Sequence, residues 1–170
     1  MSIPTFTLRA YQDLNVSRIC RRILQDGKQH VLYAAPMASG KTLVGKALAA
    51  RLLGPRFSTI LILGPSNNIV ERWREPVLVA SVARNMPPRL YGKTLGADKK
   101  VPRLDTARAL HGDGAFWSDE QEGVWVATRQ AVCDQKVIDL LIKMKQEGRN
   151  VEHILVLVDE GHHAFRENKG

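Results

Sequence analysis

Cysteine is scarce: the 170-residue chain has two, Cys20 and Cys133, in neither a metal-ligand spacing nor a disulfide-rich pattern. That excludes a small crosslinked secreted domain and predicts a reduced, cytoplasmic setting. Long apolar runs are missing too. The longest aliphatic stretch, Ile154 to Val158, falls far short of the roughly 20 residues a membrane-spanning helix needs. Met1-Ser2-Ile3-Pro4-Thr5 lacks the basic and apolar blocks of a secretory signal, so no membrane partner is expected. Aromatic residues make up only 6%, and Tyr91 alone falls in the most basic stretch, which argues against base stacking there.

What the chain does have is positive charge, a net +8. A basic balance suits a polyanionic partner, although it also keeps a protein soluble. Its distribution says more. Arg84, Arg89, Lys93, Lys99, Lys100, Arg103 and Arg108 face only Asp98 and Asp105 within 84–108, whereas Asp113 to Glu122 carries acids and no base. Pro87-Pro88 and repeated glycines punctuate 84–123, which reads as an irregular insertion with a basic part and an acidic part.

Elsewhere short apolar runs alternate with helical patterns. His30–Ala35, Thr59–Leu63, Val124–Ala127 and His153–Val158 read as buried parallel strands, which are continuously apolar rather than alternating. Helices are predicted over 14–24 (with Leu14, Ile19, Ile23 and Leu24 on one side), 42–53, 67–74 and 130–146. Strands alternating with helices define a single α/β domain over 1–170, with a parallel sheet covered by helices on both faces.

The most informative stretch is Val31-Leu32-Tyr33-Ala34-Ala35-Pro36-Met37-Ala38-Ser39-Gly40-Lys41-Thr42. A tight loop ending in Gly-Lys-Thr at the start of a helix is a phosphate-binding arrangement, because loop amides and the helix N-terminus aim donors at phosphate oxygens. Lys41 would add a point charge and Thr42 a hydroxyl ligand for magnesium. Ala35 stands where the strict pattern has its first glycine, and Ala38 where glycine is frequent. Near the other end, Asp159 and Glu160 follow the apolar run 154–158, at the strand end where α/β sheets bind ligands. Asp159 suits magnesium, and Glu160 suits orienting or deprotonating a water. A zinc site on Glu160, His162 and His163 is the rival reading. Adjacent histidines on a helix diverge by about 100°, so the two do not easily share one ion.

These two motifs, with what lies between them, resemble the first RecA-like, P-loop NTPase domain of superfamily 2 helicases and translocases, in the DEAH-type branch of restriction motors and phage or repair helicases. Leu8-Arg9-Ala10-Tyr11-Gln12 is similar to that family's opening element, which implies adenine recognition by Gln12 with Arg9 nearby. Ala35 to Thr42 is similar to motif I, which implies nucleotide contacts from Ala38, Ser39, Gly40, Lys41 and Thr42. Gly64-Pro65-Ser66-Asn67, followed by Trp73, resembles motif Ia, and Val126-Ala127-Thr128 the strand-end threonine motif. The resemblance therefore implies that Pro65, Ser66, Asn67, Thr128 and Arg129 face nucleic acid. Asp159-Glu160-Gly161-His162 resembles Asp-Glu-Ala-His, with His162 at the nucleotide. Met37-Ala38 and Gly161 depart from the common Thr-Gly and Ala.

The resemblance implies ATP and magnesium as cofactors, and DNA, more than RNA, as a partner. A second RecA-like lobe is expected to be absent from these residues and required for unwinding. By themselves the 170 residues are expected to bind nucleotide better than they hydrolyse it. The competing reading is a module that binds nucleic acid or a protein partner and retains a vestigial nucleotide site; a phosphate-loop kinase leaves Asp159-Glu160-Gly161-His162 without a use. Trp73 and Trp125 read as packing residues.

Overall fold

The computed structural model of the chain describes residues 5–53, 56–57, 59–75, 78–79, 123–147 and 154–161. In chain order these form β1 (Thr5–Phe6), α1 (Ala10–Leu24), α2 (Lys41–Leu52), β2 (Thr59–Gly64), α3 (Asn67–Arg74), β3 (Leu78–Val79), β4 (Gly123–Thr128), α4 (Arg129–Val132), α5 (Gln135–Gln146) and β5 (Ile154–Val158). They fall into two compact units. One contains β1, α1, α2 and β3; the other contains β2, α3, β4, α4, α5 and β5. The basic and acidic stretches of the expected insertion lie outside the described residues, and Gly123, its last position, opens β4.

In the second unit β2 is the middle strand of a parallel sheet ordered β4-β2-β5. Thr59 pairs with Gly123 and with Ile154, and the register runs on to Gly64 opposite Thr128 and Leu63 opposite Val158. A central parallel strand is covered on both faces, and Thr-Ile-Leu-Ile-Leu-Gly meets that demand, with Ile60, Leu61 and Ile62 all buried. Each such side chain contributes about 1.5–3 kcal/mol by leaving water. Trp125 packs with Leu61 and Ala127 in one cluster, supported by Leu63, Val132 and Ile154. Amphipathic α3 buries Val70 and Trp73, one turn apart, and packs on β4 and β2.

The first unit pairs α1 with α2 and the short β1 in parallel with β3. Helix α2 buries Val44, Ala47, Leu48, Ala49, Ala50 and Leu52, together with Lys46. Arg51 Nη1 donates to Ser17 Oγ across the two helices at 2.9 Å. On α1 the buried stripe is Gln12, Val16, Ile19 and Cys20, at helical spacing. That corrects the expected face in part: Ile19 is buried and Ile23 half-buried as expected, but Leu14 and Leu24 sit on the exposed side.

Two further expectations are corrected. Residues 30–35 form no strand. Burial alternates there, with Val31, Tyr33 and Ala35 half-buried and Leu32 87% exposed, but no described strand bonds to the segment. A strand exists only through a paired neighbour, which local hydrophobicity does not report. The helix expected over 130–146 is two helices. Thr128 Oγ1 accepts the Ala131 N–H and caps α4, the Cys133 N–H closes α4 onto the Arg129 carbonyl, and the next bond runs from the Ile138 N–H to the Asp134 carbonyl. Asp134 thus starts a new helix, as a residue suited to an N-cap does.

The two thiols differ in exposure, and this gives a first prediction. Burial pushes the Cys20 thiol above its ordinary value of 9.0, against a smaller opposing effect of Arg51, while Cys133 is exposed. A disulfide reagent is expected to titrate Cys133 quickly and Cys20 only after denaturant. The unfolded thiol releases its proton first as the pH climbs past 9.0, so the contribution of protonated Cys20 is full below that value and is lost above it. Urea midpoints at pH 8 and pH 10 are expected to fall further apart in the wild type than in Cys20→Ala.

Among the described residues no helix is long and apolar enough to cross a membrane.

Candidate functional site

The loop before α2 is shaped by two left-handed residues. Ala38 has φ 59° and Gly40 has φ 80°, and the Ser39 N–H closes a turn onto the Pro36 carbonyl at 3.3 Å. The position at Ala38 is therefore one where glycine is at home; alanine costs about 1–2 kcal/mol there. Met37 beside it is 91% exposed and packs on nothing that its identity would disturb. Gly40 is also the N-cap of α2. The first intrahelical bond runs from the Val44 N–H to the Gly40 carbonyl, so the amides of Lys41, Thr42 and Leu43 are the donors that a helix leaves open at its N-terminus.

Two side chains of α1 hold this loop from behind. The Ser39 carbonyl accepts from Tyr11 Oη at 2.9 Å and from Gln12 Nε2 at 2.8 Å. Gln12 Oε1 in turn accepts the Arg9 N–H at 2.9 Å, at the position where a capping residue reaches back. Gln12 is only 4% exposed, so its amide bridges the start of α1 and the loop from within the protein. Arg9, Gln12, Ser39 and Gly40 are thereby brought together. The sequence reading missed Tyr11, although it stands in the same element as Gln12. Lys41 Nζ donates to the Ala35 carbonyl at 3.2 Å, inside its own loop.

The loop itself suits a polyphosphate. Ser39 Oγ is buried without a hydrogen-bond partner, an added Cβ on Gly40 would run into Gln12, and an ammonium and open helix amides lie on the same short segment. A dianionic group satisfies such donors, and the helix dipole favours it.

The second unit gathers the other residues at the carboxyl edge of its sheet. Gly64 and Thr128 are paired, and the Asp159 N–H continues the ladder to the Leu63 carbonyl at 2.9 Å. Pro65-Ser66-Asn67, Thr128-Arg129 and Asp159-Glu160 therefore all leave the sheet at one level, the edge where open α/β sheets bind ligands. Ser66 and Asn67 are exposed, and Thr128 and Arg129 half-buried. Asp159 Oδ1 accepts the Glu160 N–H at 2.9 Å, and Glu160 has φ 51°. A glutamate in that left-handed conformation costs of order 1–3 kcal/mol and marks a turn held by its surroundings. A methyl group on Gly161 would touch nothing within 4 Å, so lack of space does not explain glycine there. Trp73, read from sequence as packing, is buried and also donates its indole N–H to Asp159 Oδ2 at 2.7 Å. His162 and His163 lie outside the described residues, and among the described residues no group of three or more His, Cys, Asp or Glu could hold a metal ion.

A glycine-lysine-threonine loop opening a helix, and an acid pair ending a parallel strand, define a P-loop nucleotide-binding domain of the RecA-like α/β class. Residues 5–169 match the family model described as type III restriction enzyme, res subunit, and the chain belongs to that family. It is a helicase-like ATP-binding motor domain of superfamily 2, the N-terminal RecA-like domain of such proteins. No curated protein and no solved structure matches the chain.

Proposed function

We propose that residues 1–170 act as one ATP-binding lobe of a DEAH-type DNA helicase or translocase. The observation that carries this reading is the phosphate loop, in which left-handed Gly40 hands directly into the N-terminus of α2 beside Lys41. Lys41, the Ser39 hydroxyl and the amides of Gly40 to Thr42 bind the phosphates, with Ala38 supplying the bend. Thr42 and Asp159 are the residues that hold magnesium, and Glu160 orients the attacking water as its general base. Magnesium, when bound, neutralises charge on the phosphate oxygens. Gln12 keeps one lone pair on Oε1 and one N–H on Nε2 beyond its two present bonds, a donor–acceptor pair that matches the adenine edge, with Arg9 alongside. His162 completes the nucleotide set.

Pro65, Ser66, Asn67, Thr128 and Arg129 contact the DNA backbone. Small polar groups at strand ends suit phosphate oxygens, which set position without reading sequence. Hydrolysis by these residues alone is slow, because an arginine finger from a second lobe is worth about 10³–10⁵ in rate. Unwinding needs both lobes to close around the nucleotide.

The test is calorimetric titration of Mg·ATP into the chain, followed by duplex binding over a range of salt with and without nucleotide. One Mg·ATP per chain and a nucleotide-dependent DNA affinity are expected. Salt-sensitive DNA binding indifferent to ATP would overturn the motor reading in favour of a vestigial site.

A further inference from the structure

Asp159 has both carboxylate oxygens engaged by neutral donors. The Glu160 N–H binds Oδ1 at 2.9 Å, and Trp73 Nε1 binds Oδ2 at 2.7 Å. The first bond is local. The second joins α3 to the turn after β5 and is the shorter of the two. Trp73 is 4% exposed, and its helix packs on β2 and β4, so its ring is set by the core and not by the turn. An indole N–H donates one hydrogen bond and accepts none, so its burial requires an acceptor; Asp159 is that acceptor.

We infer that Trp73 is a positioning residue for Asp159, fixing the rotation of its carboxylate so that the remaining lone pairs are presented to magnesium. The inference rests on the nucleotide-site reading above. An ionised carboxylate offers about four lone-pair sites, and the two donors take one on each oxygen. Two sites and the full negative charge are left for a cation. A lysine or arginine in place of Trp73 would orient the group equally well but would cancel the charge that attracts the metal. An indole orients without neutralising. Groups that hold metal-binding carboxylates in this way govern metal affinity without touching the metal.

The experiment compares the 170-residue chain with Trp73→Phe, which keeps an apolar ring and removes the donor. Magnesium is titrated at fixed ATP and binding is read by calorimetry, with metal-free ATP affinity measured in chelator. The magnesium concentration for half-maximal binding is expected to rise about tenfold to a hundredfold in Trp73→Phe, the range for losing an outer hydrogen bond to a metal-binding carboxylate, with metal-free affinity unchanged. In parallel, the Trp73 indole N–H resonance is followed by NMR, assigned in the wild type from its through-space contacts to neighbouring protons. It is expected to shift on Asp159→Asn, and on magnesium addition to the nucleotide-bound wild type. That signal uses the native ring, so it holds even if Trp73→Phe folds poorly. An unchanged magnesium requirement in folded Trp73→Phe, or an indole resonance indifferent to Asp159→Asn, would overturn the inference alone. Failure of the wild type to bind Mg·ATP at all would instead remove the nucleotide-site reading, and the positioning role with it.

Discussion

Lys41→Ala is expected to weaken Mg·ATP binding by roughly tenfold to a hundredfold while leaving the fold intact. A hydrogen bond to a charged partner contributes about 1.5–3 kcal/mol, and about 1.4 kcal/mol is a factor of ten. The fold tolerates the change because Lys41 makes a single 3.2 Å bond to the Ala35 carbonyl, in a part-buried site of its own loop. Exchanging that bond for phosphate is a rearrangement within one segment. Calorimetry on wild type and variant measures the loss, and a thermal melt checks that stability moves little. Equal affinity in the two proteins would remove Lys41 from the phosphate site.

Gly40→Ala is expected to cost about 2–4 kcal/mol of folding stability and to abolish nucleotide binding. Two separable causes add up. The first is backbone: φ 80° is left-handed, and a Cβ there costs about 1–2 kcal/mol. The second is a collision, since the new Cβ would lie 2.5 Å from Gln12 Nε2. Gln12 is a flexible residue elsewhere, but here it is held at both ends, by the Arg9 N–H and by the Ser39 carbonyl. Moving it breaks bonds worth about 0.5–1.5 kcal/mol each. A double-mutant cycle separates the causes. In a Gln12→Ala background the collision is gone, and Gly40→Ala should cost only the backbone share. Urea unfolding of the four proteins gives the coupling; full additivity would mean that Gln12 does not wedge against Gly40.

Much of the second unit was legible as sequence because its strands satisfy a simple demand. Burial on both faces requires an unbroken apolar run, and Thr59–Leu63, Val124–Ala127 and His153–Val158 each coincide with a strand to within about a residue at either end, although β5 leaves Val156 and Val158 exposed where burial was expected. Helix α3 matches its expected bounds: its first bond runs from the Val70 N–H to the Ser66 carbonyl, and it stops at Glu75, the residue before Pro76. The phosphate loop was legible for a different reason: its chemistry is local, written in consecutive residues. What sequence did not reveal depends on partners far along the chain. Nothing in Val31-Leu32-Tyr33 says whether a neighbour will pair with it. Nothing near Trp73 names Asp159 as its acceptor. The misplaced face of α1 has a third cause: Leu14 looked like core by type, but the stripe that packs on α2 runs through Gln12, a polar residue buried for the loop it supports.

The pairing of β2 also bears on how the protein reaches its native state. Thr59 meets Gly123 and Ile154, so one partner of the central strand lies more than a third of the chain away and the other more than half. No hairpin can start this sheet. Both ladders close long loops before they return any stabilisation, which places the second unit among topologies that form slowly. Until they close, the Thr-Ile-Leu-Ile-Leu segment has no partner on either edge, and a short apolar stretch of this composition adheres to other chains. Refolding yield is accordingly expected to fall steeply as protein concentration rises, and to recover when the wait of β2 for its distant partners is spent in dilution.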